Sequence, residues 1–224
     1  MTRSNAQTFL FADLAGFTAL TDVHGDDQAV DLAVEFFESV RALLPEYKAA
    51  EVKAIGDELM IRCEDPAAAI RLSMRIVREI GAQHGFPTIR IGLHTGPAIE
   101  RDGDWYGGTV NVAARIAAEA GSGEVLLSDQ ARRAAGDLEG VDFEQRGRRE
   151  LRNLREPVVL CAAMAPDERS ARKLPVDPVC RMAVDPEHCA GSLCHRGIEY
   201  FFCSRQCIEA FASEPDRYVT RSSS

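Results

Sequence analysis

Positive charge is in deficit along this chain of 224 residues: 26 lysines and arginines against 35 aspartates and glutamates leave a net charge of −9. That balance argues against broad binding to a phosphate backbone, because a nucleic-acid partner demands a basic face or stripe. No nucleic acid is expected as a partner, and any nucleotide bound here must be held by local groups or metal ions. Long apolar runs are also missing. The most apolar later stretch, Pro157 to Ala165, is less than half of the ~20 residues that a membrane-spanning helix requires. Met1 to Thr8 lacks the basic segment and apolar run of a secretory signal, and Asp13 interrupts the first apolar stretch. No membrane partner is expected, and the expected location is cytoplasmic. Internal repeats and low-complexity segments are absent apart from the terminal Arg221-Ser-Ser-Ser.

What is present is enough apolar content, 46%, for a full core, in a length that fits one medium domain and one small one. Of seven cysteines, five (Cys180, Cys189, Cys194, Cys203 and Cys207) crowd into the last 45 residues. In a cytosolic chain such crowding points to metal before disulfide. Ala-Pro-Asp-Glu-Arg-Ser-Ala-Arg-Lys, at 165–173, reads as a polar connector. The expected division is therefore 1–164, a linker at 165–173, and a Cys-rich module at 174–220.

Upstream of the connector, strand-like runs alternate with helical patterns. Strands are expected at Thr8 to Ala12, Glu51 to Ile55, Glu58 to Arg62, Thr88 to His94, Ala98 to Arg101, Glu124 to Leu127, Phe143 to Arg149 and Val158 to Ala162. Helices are expected at Ala29 to Leu44, from Asp65-Pro66 to about Ile80, and from about Thr109 to Ala118. Gly56-Asp57 forms the tip of a hairpin. The order is mixed α+β and not a strict βαβ repeat.

Several polar residues stand at telling places in this pattern. Asp13 ends a strand before a glycine turn, where it either caps the following helix or faces a cation. Asp57 serves either as turn chemistry or as a second acidic ligand, since two carboxylates from adjacent strand ends can share hard cations with substrate phosphates. Asn111 and Arg115, four apart on a helix, project from one face, where both can donate to the same oxyanion. Ala113 and Ala114 keep that helix slim, and Gly107-Gly108 before it lets a ligand approach closely.

Together, Asp13, Lys53, Asp57, Asp104, Asn111 and Arg115 resemble the catalytic domain of the class III adenylate/guanylate cyclases, over about residues 7 to 163. The resemblance implies an α+β fold with a ferredoxin-like mixed sheet, and conversion of ATP to cyclic AMP and pyrophosphate. It implies that Asp13 and Asp57 bind two Mg²⁺ or Mn²⁺ ions per active site, that Lys53 and Asp104 select the purine, and that Asn111 and Arg115 stabilise the transition state. All six positions hold the residues typical of adenylate cyclases. The family's sites are built across a head-to-tail dimer, one subunit giving the metal aspartates and its partner the Lys, Asp, Asn and Arg, so that Lys53 and Asp57 of one hairpin serve different sites and a homodimer with two sites at its interface is implied. A guanylate cyclase, which would need a different purine pair, a non-catalytic nucleotide- or metal-binding regulator, and a metal-trafficking protein on a cyclase scaffold are the competing readings.

In the tail, Cys180, Cys203 and Cys207 have Cys-x₂₂-Cys-x₃-Cys spacing, by which three thiolates can converge on one soft or borderline metal. With Asp177-Pro178-Val179, Phe211, Pro215 and Tyr218, they resemble the YHS domain, a relative of the TRASH heavy-metal knuckles. One departure is Arg181, where a glycine is expected after the first cysteine. The implied ion is Zn²⁺ or another transition metal, either structural or sensory; a module this small usually needs such a staple. Cys189, Cys194, His188 and His195 are either exposed loop residues or sources of a fourth ligand. Cys63 and Cys161 lie in expected strands and read as core thiols.

Overall fold

The computed structural model describes residues 6–167 and 174–219. The terminal Arg221-Ser-Ser-Ser and residues 168–173 of the expected connector lie outside the described residues.

The first strand, β1 (Ala6–Leu14), is buried from Gln7 onward because both of its faces are covered. Phe9 and Phe11 point to one side of the sheet, and Leu10, Ala12 and Leu14 to the other. After a turn at Gly16 come α1 (Phe17–His24) and α2 (Asp26–Leu43), then the hairpin β2 (Ala50–Ile55) and β3 (Glu58–Cys63), α3 (Pro66–Arg75) and β4 (Ile89–Pro97). β1, β3 and β4 pair antiparallel, as do β2 and β3, in the spatial order β2-β3-β1-β4. That is a βαββαβ unit of ferredoxin-like type. β5 (Ile99–Arg101) and β6 (Asp104–Tyr106) form a small hairpin that leads into α4 (Gly108–Glu119). β7 (Val125–Ser128) then pairs parallel with β4, α5 (Asp129–Ala135) follows, and β8 (Asp142–Arg149) and β9 (Val158–Met164) complete a seven-stranded sheet in the order β2-β3-β1-β4-β7-β9-β8.

α2 and α3 cover one face of the sheet. Phe36, Val40, Ile70 and Leu72 pack there against Leu10, Leu59, Ile61 and Leu93; each such side chain contributes about 1.5–3 kcal/mol on burial. Asp65 caps α3, its Oδ1 accepting from Ala67 N at 2.9 Å, with Pro66 at the first helical position. A π turn continues that helix to Ile80. α4 covers the other face and lies very close to it. A Cβ added to Gly92 on β4 would sit 1.9 Å from the amide N of Ala117. Only a glycine permits this approach, and it is what sets the height of α4 above the sheet.

Cys63 and Cys161 are fully buried, as expected of core thiols. In the larger unit α1, which has no side-chain cap at Gly16, β6 and α5 go beyond the sequence expectations. Asp13 is accordingly not a helix cap.

The tail contains β10 (Gly191–His195) paired with β11 (Ile198–Phe202), then α6 (Arg205–Ser213) and α7 (Pro215–Tyr218). It does not stand apart from the larger unit. Leu20 of α1 and Ala29 of α2 share an apolar cluster with Val179, Cys180, Met182, Phe202, Cys207 and Phe211. Residues 181–183 also run antiparallel to the entry of β4, with Thr88 N donating to Arg181 O (3.0 Å) and Ala183 N to Phe86 O (2.9 Å). No helix among the described residues is long and apolar enough to cross a membrane.

Candidate active site

On the α4 side of the sheet a polar row replaces the apolar one. Glu58, Asp13 and Arg90 stand directly opposite one another on β3, β1 and β4, and antiparallel partners share a face. Arg90 Nε donates to Asp13 Oδ2 at 2.6 Å. Asp57, in the β2–β3 turn, reaches the same acid. Burial, repulsion from Asp13 and a hydrogen bond with it push the Asp57 carboxyl up to about 6. Burial, then the charges of Asp13 and Asp57, push Glu58 up to about 7. The fold thus gathers three carboxylates at one sheet end with a single guanidinium against them. Hard oxygen donors whose repulsion a cation would relieve are a donor set that fits Mg²⁺ or Mn²⁺. Glu58 and Arg90 escaped the sequence reading because only strand register reveals them.

Two residue pairs away along the same hairpin, Lys53 shares that face, opposite Met60. Its Nζ donates to Asp104 Oδ2 of β6 at 2.6 Å and lies 6.0 Å from the centre of the Tyr106 ring. The ammonium, together with the Trp105 amide on the other carboxylate oxygen (2.7 Å), holds Asp104 below the ordinary carboxylate range. Asn111 and Arg115 are both exposed on the outer side of α4, whose inner side, Ala113, Ile116 and Ala117, is buried. Among the described residues neither side chain has a hydrogen-bond or ion-pair partner, and no such bond joins the acid group, the Lys53–Asp104 pair and the α4 pair to one another. The structure therefore brings together Asp13 with Asp57 and Lys53 with Asp104, and leaves Asn111 and Arg115 facing outward.

Residues 1–161 match the family model of the adenylate and guanylate cyclase catalytic domain. The chain belongs to that family. Residues 176–222 match the YHS domain, which this cyclase-family chain carries after its larger unit. It is 36% identical over 156 residues to the pH-sensitive adenylate cyclase of Mycobacterium tuberculosis, an alignment covering 68% of this chain and 39% of the relative. An adenylate cyclase of Streptomyces griseus is 35% identical over 118 residues, 52% of this chain and 29% of the relative. The chain thus spans well under half the length of these curated relatives. In fold it is similar to adenylate cyclases from Trypanosoma brucei solved in their monomeric state, with a TM-score of 0.67 at 24% identity over 76% of this chain and 92% of that one. The adenylyl cyclase of P. aeruginosa gives a TM-score of 0.61 at 20% identity, covering 75% and 96%.

In the YHS domain the three expected cysteines converge. Cys180 Sγ lies 3.3 Å from Cys203 Sγ, which lies 3.7 Å from Cys207 Sγ. Cys203 precedes α6, and Cys207 sits in its first turn, where its amide donates to the Ser204 cap. The neighbouring Cys180 and Cys203 thiols hold Cys207 below the ordinary thiol range. Buried Asp177 ties the loops together, accepting from Val179 N (2.8 Å) and Cys203 N (2.9 Å). Arg181 takes a left-handed backbone, φ 65°, which explains why a glycine is expected there.

The tail's other candidates for a fourth ligand lie outside this cluster. His188 bonds Asp185 (2.7 Å), His195 bonds Asp216 (3.2 Å), Cys189 donates to Pro186 O (3.3 Å), and Cys194 is exposed. The fourth group present is His24 of α1, whose Nε2 is 3.6 Å from both Cys203 Sγ and Cys207 Sγ.

Proposed function

We propose that the chain is an adenylate cyclase that converts ATP to 3′,5′-cyclic AMP and pyrophosphate at sites completed between two copies of itself. The observation that carries this reading is the 2.6 Å ion pair between Asp104 and Lys53, the lysine standing on the hairpin whose turn brings Asp57 to Asp13. The names of the curated relatives support the same choice of substrate. The catalytic domain is taken as 1–164, the connector as 165–173 and the YHS domain as 174–220.

Lys53 would donate to adenine N1 while Asp104 accepts from the N6 amine. Guanine inverts both edges and leaves the pair mispaired, at about 1–3 kcal/mol per contact. Asp13 and Asp57 would hold the divalent ions, which supply charge neutralisation and a more acidic ribose 3′-hydroxyl. The 3′ oxygen, its proton released to water, then bonds to the α-phosphorus as the bond to the bridging oxygen breaks and pyrophosphate leaves in line. Arg115 would meet the charge growing on the α-phosphate, and Asn111 would orient the ribose. Removal of either donor should lower turnover by about 10²- to 10³-fold.

Asn111 and Arg115 face outward, and with the Lys53–Asp104 pair they are assigned to the site whose metal aspartates come from the partner in a head-to-tail homodimer. ATP as substrate fits a cytoplasmic enzyme. Metal at Cys180, Cys203 and Cys207 is proposed to tune the rate, so chelation should change cyclic AMP output.

The test is to incubate the purified full chain with ATP or GTP plus Mg²⁺ or Mn²⁺ and separate the products by chromatography. Cyclic AMP and pyrophosphate from ATP, with GTP much slower, are expected. Absence of a cyclic product, or faster turnover of GTP, would overturn the reading.

A further inference from the structure

Four soft or borderline donors meet at one point of this molecule, and only three belong to the YHS domain. The ligand atoms of His24, Cys180, Cys203 and Cys207 all lie within 4.8 Å of one another. Bond lengths of about 2.3 Å to sulfur and about 2.0–2.1 Å to nitrogen place tetrahedral ligand atoms about 3.8 Å apart for two sulfurs and about 3.6 Å for sulfur and nitrogen. The observed 3.7 Å for Cys203–Cys207 and 3.6 Å for both His24 contacts match those spacings before any ion is added, while Cys180–Cys203, at 3.3 Å, is closer than an ion between them would hold it. We infer that His24 is the fourth ligand of a Cys₃His transition-metal site, so that one ion bolts the YHS domain to the helix that follows Asp13.

The surroundings support a site built for this purpose. Cys180 and Cys207 are fully buried beneath Leu20, Met182, Phe202 and Phe211, so an ion there is shielded from water on the tail side and reached by the imidazole from α1. Asp177 fixes the first and second cysteine loops against each other through their amides. Neutral imidazole with three thiolates is the donor set of a closed structural zinc site.

The bolt touches both ends of α1. His24 is its last residue. At the other end, a Cβ on Gly16 would lie 2.6 Å from Cγ of Arg181, the neighbour of Cys180. Gly16 combines φ 78° with this close contact, so it accepts no side chain. Arg181 O accepts from Thr88 N (3.0 Å), and Thr88 O accepts from Ala15 N (2.8 Å), two residues after Asp13. An ion at the four ligands therefore fixes the segment that carries Asp13 at two points, giving the tail a physical route to the larger unit.

The inference is tested on the full chain by metal binding, independent of cyclase turnover. Zn²⁺ affinity is measured by competition with a chromophoric chelator, the Co²⁺ form is examined by absorption spectroscopy, and hydrogen exchange is followed in α1 with and without Zn²⁺. The wild type should hold one Zn²⁺ per chain against the chelator, show the d–d bands of tetrahedral Co²⁺, and slow exchange at residues 17–24. His24→Ala should weaken Zn²⁺ binding by at least about tenfold and remove the protection of α1. His24→Cys should recover binding, with stronger thiolate-to-cobalt charge transfer. Unchanged affinity and spectrum in His24→Ala, no recovery in His24→Cys, or a wild type that binds no ion and links Cys180 to Cys203 as a disulfide would each overturn it.

Discussion

Asp13 Oδ2 is held by Arg90 through both Nε, at 2.6 Å, and Nη2, at 2.5 Å, while Glu58 faces Asp13 from the opposite strand. One guanidinium therefore partly offsets three acids, and Asp57 and Glu58 remain raised, to about 6 and about 7.

Stability should respond to pH in a definite direction. Asp57 rises from an ordinary 3.8 to about 6, and Glu58 from 4.5 to about 7, so the folded state binds more protons than the unfolded one. Their contribution is fully present below the unfolded values and is lost as pH rises through about 6 to 7. Asp57→Asn should therefore melt higher than the wild type at pH 8 without divalent ions. Solvent screening at this half-buried site limits the gain to roughly 2–4 °C. The gap should close near pH 4, and Mn²⁺ should raise the melting temperature of the wild type more than that of the variant. Thermal melts across pH that show no gap would contradict the crowding of these acids.

The proposed purine pair predicts a specificity switch. Lys53→Glu with Asp104→Cys removes the 2.6 Å ion pair and presents guanine-compatible groups. The ATP/GTP ratio of kcat/KM should fall at least about tenfold, within the range expected for two mispaired contacts. An unchanged ratio would withdraw the assignment of the pair.

Gly92 predicts an effect at a distance from any ligand. A Cβ at 1.9 Å from Ala117 N cannot be accommodated without lifting α4. Gly92→Ala should destabilise the fold by about 1–3 kcal/mol and, by displacing Asn111 and Arg115, lower kcat more than it raises KM. Denaturant unfolding together with steady-state kinetics checks both effects.

The residues that could be read from the sequence are those whose neighbours are local or whose pattern is periodic. The Gly56-Asp57 turn, the Asp65-Pro66 cap and the Asn111/Arg115 spacing each need only a few residues of context, and the βαββαβ order follows from alternating periodicity. α1 was hidden because eight residues including Thr18, Thr21 and Val23, uncapped at Gly16, carry little intrinsic helix signal. It forms because Leu20 is buried against the YHS domain. Glu58 and Arg90 depend on strand register. His24 meets Cys203 and Cys207 across 179 and 183 residues, beyond the reach of any spacing rule.

The central claim, that the acids of one chain work with the α4 pair of another, is tested most directly by mixing two inactive chains. Asp13→Ala and Arg115→Ala homodimers should each be inactive, and their heterodimer should hold one intact site of two. Cyclic AMP formation in an equimolar, freely exchanging mixture should recover to roughly a quarter of the wild-type rate, as statistical pairing of a two-fold dimer requires. A mixture that exchanges subunits yet stays as inactive as its components would contradict the account.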